Sequence, residues 1–256
     1  MSKLLEGRLA LILGIANKWS LAYAIAQAFS REGATLVLTY LGDRQKEAIA
    51  ELSQDLNVGA ILPCDVTKDE ELSALTESLR ALGRPLHAAV HSLAFANRED
   101  LSRPFLETGR AGFQLALDVS SYSLVAVARA IAPLMTEGGS LSTLTYLGST
   151  RVLSGYNVMG VAKAALEASM RYLSSELGAQ KIRVNAISAG PVKTASMRAI
   201  KGASSLLDVV PERAPLRRNT DPAEVADAAV FLASDLGRGV TGNILFVDAG
   251  LQVMGF

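Results

Sequence analysis

The sequence predicts an α/β fold, a single doubly wound domain in which a seven-stranded parallel sheet carries helices on both faces. Three observations support this prediction. Short apolar runs alternate with amphipathic helical stretches along all 256 residues. Half of the residues (50%) are hydrophobic and only 5% are aromatic, a composition typical of buried aliphatic strands. No linker, low-complexity run or internal repeat divides residues 1–256, so one domain is expected.

Seven apolar runs are predicted to be the strands. They are rich in Leu, Val, Ile and Ala, and turn residues or helical patterns separate them. Because strand–helix–strand connections are right-handed, the intervening helices should cover both faces of a parallel sheet. In chain order the predicted strands are 8–14, 34–40, 59–65, 85–94, 139–148, 182–188 and 244–250.

Helices are predicted where apolar residues recur at helical spacing between these strands. Gly33 is expected to end the first helix. Glu-, Lys- and Leu-rich patterns before and after the third strand indicate two helices without assigned ends. The other predicted helices are 20–33, 113–135, 155–178 and 222–234. Segment 190–220 breaks this alternation, because it combines Gly, Pro and basic residues after the sixth strand. It is predicted to be a functional lid or binding loop.

Charge and cysteine content limit the classes of function. Lys+Arg and Asp+Glu balance at 25 each, so neither nucleic acid nor a membrane surface is an expected partner. No apolar run reaches the roughly 20 residues of a membrane helix. The one cysteine, Cys64, excludes an intrachain disulfide and a cysteine metal cage, and it is expected to be a small buried residue. A start without signal-peptide character predicts a cytoplasmic protein.

The turn after the first strand, GIANKWSLAYAIA (14–26), is a candidate phosphate-binding turn. Gly14 permits a tight turn, Ser20 can cap the helix, and Ala22 lets helix and strand pack closely. Such a turn points free backbone N–H groups at a pyrophosphate. Ala16 stands where the G-x-G-x-x-G pattern requires glycine, and an ordinary strand–helix turn would look the same.

The ends of the third and fourth strands carry further polar residues. Asp65, within CDV (64–66), could accept the amino group of an adenine ring while Val66 packs beside it, or could only cap the following turn. His87 and His91 point to the same face of the fourth strand, but no third metal ligand is evident. Structural roles are therefore predicted for both histidines.

Tyr146, Tyr156 and Lys163 form the candidate catalytic group. Tyr146 closes the fifth strand, and a helix over 155–178 places Tyr156 and Lys163 almost two turns apart on one face. A lysine ammonium there could hydrogen-bond a cofactor ribose, and a tyrosine hydroxyl could stabilise an oxyanion or deliver a proton. An ordinary helix with a packed tyrosine and a solvated lysine is the alternative interpretation.

These segments together resemble the short-chain dehydrogenase/reductase superfamily, and specifically its divergent branch, the NADH-dependent bacterial enoyl-acyl carrier protein reductases. The resemblance covers essentially the whole chain and implies a Rossmann-type domain. In order, its motifs are GIANKWSLAYAIAQAF, CDV, HSLAFA, LTYLGS, YNVMGVAKAALEASMRYLSSELG, IRVNAISAGPVKT, APLRR and TGNILFVDAG.

The resemblance explains the spacing of the candidate catalytic group. Ordinary members of the superfamily carry a tyrosine four residues before the lysine, where Met159 stands, and a serine near Tyr146. The branch uses Tyr146, Tyr156 and Lys163 in their stead. It implies hydride transfer from NADH to the β-carbon of a trans-2-enoyl thioester on acyl carrier protein, the last step of fatty acid elongation.

The resemblance also assigns roles to individual residues. Tyr156 would contact the thioester oxygen, Lys163 the nicotinamide ribose, and Tyr146 and Ala96 the acyl substrate, with a lid at about 190–210. The implied NAD contacts are Gly14, Ser20 and Leu21 at the pyrophosphate, Leu41 after the second strand, Asp65 and Val66 at the adenine, Leu93 on the adenosine side, and Val192, Lys193, Thr194, Ala195 and Ser196 over the pyrophosphate and nicotinamide.

The residues after the second strand favour NADH over NADPH. A 2′-phosphate is normally met by a basic residue at this point. Leu41 and Gly42 stand there instead, and the charge of Asp43 would repel a phosphate. Arg44 and Lys46 lie close by and act in the opposite direction.

Two other functions are weighed against the enoyl reductase. Met159 and the position of Tyr156 disfavour a carbonyl reductase, and the presence of both Tyr156 and Lys163 disfavours a non-catalytic dinucleotide-sensing protein. The resemblance further implies a homotetramer, with the helices at about 113–135 and 155–178 forming an interface. No metal site is expected.

Overall fold

The computed structural model describes residues 3–194 and 203–255, and only the backbone for residues 203–206. The described residues form one sheet of seven parallel strands in the order β3-β2-β1-β4-β5-β6-β7. The strands are β1 (Leu9–Leu13), β2 (Thr35–Tyr40), β3 (Val58–Pro63), β4 (Ala88–His91), β5 (Gly139–Thr145), β6 (Ile182–Ala189) and β7 (Ile244–Val247). The predicted doubly wound parallel sheet is confirmed.

The strand order reverses between β1 and β4. The chain builds outward from β1 to β3 and then crosses back to place β4 on the other side of β1, with Leu13 paired to His91. Connections leave the carboxyl ends of β1 and β4 in opposite directions, and this opens a crevice where such sheets bind ligands. The topology therefore sets the place of the functional site.

The main helices are α1 (Leu21–Arg31), α2 (Asp43–Leu52), α3 (Asp69–Ala81), α4 (Arg98–Ser102), α5 (Arg110–Leu117), α6 (Ser123–Ile131), α7 (Val158–Leu177), α8 (Ala203–Arg213) and α9 (Pro222–Ala233). Gly33 follows α1 in the left-handed region, with φ +91°, as expected of a helix stop. α9 begins with a capping box, in which Asp221 and Glu224 each accept a backbone N–H of the other.

The predicted strands 59–65, 85–94, 139–148 and 244–250 extend past the observed β3, β4, β5 and β7. Three further assignments outside the strands are wrong. The helix predicted over 113–135 is interrupted by a π-helical turn, Asp118–Tyr122, between α5 and α6. The helix predicted from 155 begins only at Val158. Segment 190–220, predicted to be a lid or binding loop that breaks the alternation, contains the helix α8, which accommodates Pro211 near its end.

Each face of the sheet packs against its own layer of helices. β1 shows why the strands read as continuous apolar runs: Ala10 and Ile12 belong to the layer with α1 and α9, whereas Leu9, Leu11 and Leu13 belong to the layer with α3, α6 and α7. All five residues are buried. Fully burying a large aliphatic side chain contributes roughly 1.5–3 kcal/mol, so the two layers hold β1 firmly at the centre of the sheet.

In the described part of the chain, one helical segment, Arg110–Leu134, is long and apolar enough to cross a membrane by length and composition. The sequence expectation that no run reaches this length is therefore wrong. Half (50%) of the most apolar window is buried inside the protein, and core helices of globular proteins pass the same test. The segment is weak evidence for a membrane span.

Candidate active site

A cavity of about 720 Å³ lies at the carboxyl ends of the strands. It extends from the loops after β2 and β3 to the end of β5 and the start of α7. The residues predicted for the site that line it are Gly14, Ser20, Leu21, Leu41, Asp65, Val66, Leu93, Ala96, Tyr146, Tyr156, Lys163, Val192 and Thr194. Lys193 is exposed and is not among the lining residues. Ala195 and Ser196 lie outside the described residues.

Gly14 brings the β1–α1 turn into close contact with the end of β4. Its φ is +99°, and a Cβ atom at this position would lie 2.1 Å from the Ser92 carbonyl oxygen. A side chain would therefore be strained and would collide with rigid backbone. The tight turn predicted for Gly14 is confirmed.

Ser20 caps α1 at the cavity wall. Its hydroxyl accepts the Tyr23 N–H at 3.3 Å and donates to the Asn17 carbonyl at 2.7 Å. The first-turn N–H groups and the positive end of the helix dipole face this region and favour an anionic group. The turn thus has the chemistry of a phosphate site without the usual glycine pattern.

Asp65 both orders its own turn and lines the cavity. Its carboxylate accepts the Thr67 N–H at 3.0 Å and the Thr67 hydroxyl at 2.7 Å, and Lys68 lies 3.5 Å away. Burial alone would raise its pKa, but the Thr67 hydrogen bonds and the Lys68 charge outweigh burial and hold the pKa below its usual range. Asp65 therefore caps the following turn, which was the alternative interpretation. Its ionised carboxylate also lines the cavity.

Gln45, which sequence reasoning missed, joins two loops at the same end of the cavity. Its side chain lies in the first turn of α2, accepts the Leu41 N–H and donates to the Ile15 carbonyl at 3.1 Å. The bridge orders the loop after β2 against the loop after β1. A polar residue in a helix gives no sequence signal for such a contact, because its partners are backbone groups brought near only by the fold.

Tyr156 lies in the turn before α7, not on the helix, so the predicted helical spacing to Lys163 is wrong. Asn157 ends this turn with φ +42°, and its amide donates to the Arg103 carbonyl at 2.7 Å and the Leu101 carbonyl at 3.3 Å. Non-glycine residues rarely adopt such a φ. The Asn157 hydrogen bonds therefore hold the turn, and with it Tyr156, against the end of α4.

The two candidate tyrosines are in contact. Their ring centroids are 5.2 Å apart at an interplanar angle of 72°, an edge-to-face arrangement. Gly148 makes room for this pair, since a Cβ there would lie 2.3 Å from Cδ1 of Tyr156. The absence of a side chain at Gly148 thus sets the position of the Tyr156 ring.

Both phenols are held in their protonated form. Burial raises the pKa of Tyr146 to about 12. Burial, with the nearby Tyr146 and Glu167, raises the pKa of Tyr156 still further above its usual range. At neutral pH each hydroxyl is a hydrogen-bond donor, suited to an oxygen that gains negative charge.

Lys163 is buried on α7 and aims at the end of β5. Its Nζ donates to the Leu144 carbonyl at 2.8 Å. Burial lowers its pKa to about 8, although the Glu167 carboxylate opposes the shift. Lys163 is therefore not the solvated lysine of the alternative interpretation.

The histidines and the cysteine have the structural roles predicted for them. His91 is fully buried, with its ring nitrogens 3.0 Å from the Thr143 hydroxyl and 2.8 Å from the Ser123 hydroxyl, and burial lowers its pKa to about 3. His87 accepts the Leu9 N–H at 3.2 Å. Burial raises the pKa of the Cys64 thiol to about 12. Among the described residues, no cluster could hold a metal ion.

The π-helical turn places a buried serine against the loop after β4, which lines the cavity. Ser120 accepts the Phe95 N–H at 2.9 Å and donates to the Phe95 carbonyl at 3.1 Å, which fixes the loop that carries Ala96. π-turns inside helices are frequent at functional sites. Sequence reasoning missed this turn because the helical pattern continues through it.

Comparison with known proteins agrees with the geometry. Residues 14–252 match a family model described as enoyl-(acyl carrier protein) reductase. An enoyl-[acyl-carrier-protein] reductase [NADH] of Bacillus cereus is 49% identical over 99% of this chain and 100% of the relative. A Staphylococcus aureus relative, 45% identical over 98% of both chains, is named for NADPH instead.

Solved structures extend the likeness to three dimensions. The Bacillus cereus enzyme with NADP+ and indole naphthyridinone superposes with a TM-score of 0.97 over 99% of this chain and 100% of that one, at 49% identity. An Anaplasma phagocytophilum enoyl-(acyl-carrier-protein) reductase in complex with NAD gives 0.95 over 100% and 96%, at 41% identity. The family model and the full-length relatives together show that the chain belongs to the enoyl-(acyl carrier protein) reductase family.

Proposed function

We propose that this enzyme reduces the trans-2 double bond of enoyl thioesters carried by acyl carrier protein, with hydride supplied by NADH. The observation that carries the proposal is the buried group of Tyr146, Tyr156 and Lys163 at the inner end of the 720 Å³ cavity. Met159, which also lines the cavity, occupies the position of the tyrosine used for ketones. The site therefore has a donor for a thioester oxygen and lacks the usual ketone-reducing arrangement.

The residues along the cavity fit a dinucleotide. The capped N-terminus of α1 suits the pyrophosphate, the ionised Asp65 suits an adenine amino group, and the Lys163 ammonium suits ribose hydroxyls. The absence of a side chain at Gly14 lets the β1–α1 turn lie directly against the Ser92 carbonyl at this edge of the sheet. When bound, NADH supplies the hydride that reaches the β-carbon of the enoyl group.

Tyr156 carries the electrostatic part of the reaction. As negative charge moves to the thioester oxygen, the Tyr156 hydroxyl donates a hydrogen bond to it and remains protonated, because burial raises its pKa. Tyr146 packs edge-on against Tyr156 and orients the thioester. Lys163 would hold the nicotinamide ribose, and a proton taken from water at the α-carbon would complete the saturated acyl chain.

The direct test is cofactor oxidation on addition of substrate. Purified enzyme with NADH should consume a crotonyl thioester, measured by loss of NADH absorbance, and should leave a panel of ketones unchanged. Turnover of the ketones without the thioester would support the carbonyl reductase instead. Binding of NADH without any turnover would support a dinucleotide sensor.

Several broader features belong to the same proposal. Residues 1–256 are assigned to one reductase domain with a substrate lid at about 190–210, of which residues 195–202 lie outside the described residues. The enzyme acts in the cytoplasm as a homotetramer. Tyr122 on the π-turn and Val161 and Tyr172 on α7 are exposed aromatic or aliphatic side chains that suit a subunit interface. Light scattering should give four subunits for the wild type and fewer for Tyr172→Glu.

A further inference from the structure

Glu167 is a buried carboxyl group that the proposed reaction does not use. It lies one helical turn after Lys163 on α7 and is 5% exposed. Its Oε1 accepts the Thr145 hydroxyl at 2.6 Å. Because burying a carboxylate costs several kcal/mol unless it is compensated, its position beside the cavity requires an explanation.

Glu167 and Lys163 together hold the end of β5. Lys163 donates to the carbonyl of Leu144, and Glu167 accepts from the hydroxyl of the next residue, Thr145. Tyr146 follows immediately. Two side chains of opposite charge, one turn apart on α7, thus hydrogen-bond to the two residues that precede Tyr146.

Three other titratable groups among the described residues lie near Lys163, and none of them carries a negative charge at neutral pH. His91 from β4 is neutral, since burial lowers its pKa to about 3. Tyr146 after β5 and Tyr156 before α7 stay protonated, since burial raises the pKa of each. Unlike these three groups, Glu167 has a carboxylate whose negative charge can balance the buried Lys163 ammonium.

We infer that Glu167 is a positioning residue for Lys163: held by Thr145, its carboxylate keeps the buried ammonium charged at the end of β5, where the proposed function places the cofactor ribose. The inference rests on the proposed function, because that function assigns the ribose to Lys163. Without the Glu167 charge, Lys163 would lose its proton near neutral pH and become a weaker donor.

NADH affinity as a function of pH tests the inference without turnover. Trp19, the one tryptophan in the chain, adjoins Ser20 on the cavity wall and can report NADH binding by energy transfer. Affinity is measured from about pH 6 to about pH 10, a range that spans the titration of a shifted lysine. Glu167→Gln should move the midpoint of the fall in affinity to lower pH by on the order of one pH unit.

The shape of the pH profile separates this role from a merely structural one. Glu167→Asp, which keeps the charge, should restore a midpoint close to that of the wild type. An unchanged midpoint in Glu167→Gln, with affinity intact or uniformly weakened, would overturn the inference. Failure to reduce enoyl thioesters would refute the proposed function but would leave this binding result unaffected.

A second measurement on the wild type covers the case in which Glu167→Gln does not fold. In cofactor-free protein labelled with 13C, the Glu167 carboxyl signal should shift at the same pH at which Lys163 loses its proton. The Lys163 signal is assigned as the lysine signal that is missing from the spectrum of the Lys163→Met variant. A Glu167 signal that stays constant through that midpoint would overturn the inference.

Discussion

The two ends of the cavity differ in how far they are removed from water. At the inner end Tyr156 is 8% exposed and Lys163 is 6% exposed, and burial shifts the pKa of both. At the outer end, near the loops after β2 and β3, Leu41 is 62% exposed, and the polar groups there include Asp65 in a loop and Gln45 in the first turn of α2. Electrostatic interactions are stronger where water is excluded, so the chemistry should depend on the inner end and cofactor selectivity on the outer one.

The sharpest test of the inner end is Tyr156→Phe. The substitution keeps the ring against Tyr146 and removes only the hydroxyl proposed to stabilise the thioester oxygen. Loss of such a donor should lower kcat on the order of 10²-fold, with less effect on KM. Steady-state kinetics with a crotonyl thioester, on protein with a wild-type melting profile, provides the measurement. A wild-type kcat would remove Tyr156 from the mechanism.

Gly148→Ala tests whether the position of the ring matters as well as its hydroxyl. The new Cβ would lie 2.3 Å from Cδ1 of Tyr156, so the ring must move. Misplacing a reacting group by about 1 Å can cost up to about 10²-fold, and kcat should fall by roughly 10-fold or more. Gly178→Ala is the matched control, because a Cβ there meets nothing within 4 Å. Equal kinetics in the two variants would contradict this account of Gly148.

Lys163→Ala should mainly weaken NADH binding. A hydrogen bond from a charged donor contributes roughly 1.5–3 kcal/mol, so the Kd for NADH should rise by on the order of 10-fold or more. In the wild type the same loss should appear as pH rises through about 8, the pKa of Lys163. Unchanged binding in the variant, measured by Trp19 energy transfer, would argue against a ribose contact.

A smaller effect is expected for Tyr146→Phe. Tyr146 binds substrate and transition state about equally in the proposed mechanism, so KM should rise a few-fold while kcat changes little. The comparison with Tyr156→Phe separates orientation from transition-state stabilisation. A fall in kcat as large as that of Tyr156→Phe would give both tyrosines the same role.

The smallest effect is expected at the open end, from Leu41→Arg. An arginine there could pair with the 2′-phosphate of NADPH, but exposed ion pairs contribute only roughly 0.2–1 kcal/mol. The ratio of kcat/KM for NADPH to that for NADH should therefore rise a few-fold from a wild-type preference for NADH. A wild-type preference for NADPH by tenfold would show that Arg44 and Lys46 outweigh Leu41 and Asp43.

Several parts of the site were not predictable from sequence. Helical periodicity continues through the π-turn and into the residues before α7, so neither the Ser120–Phe95 contact nor the place of Tyr156 outside the helix leaves a signal. The helix α8 was not predicted because it contains Pro211 and lies among basic residues, a pattern typical of a loop. Asn157 and Gln45 act on backbone groups of distant segments, and local patterns contain no information about such partners.

The sequence by itself determined the doubly wound sheet and the group of residues at its carboxyl edge. Continuous aliphatic runs can be buried only between two layers of helices, and parallel strands bring their carboxyl ends to one edge. Only the tertiary structure decided the protonation and orientation of that group. Burial between α7 and β5 sets the pKa of Lys163 and of both tyrosines, and Gly148 and Asn157 set the position of Tyr156. Desolvation and contact depend on all neighbours at once, and those neighbours come together only in the folded chain.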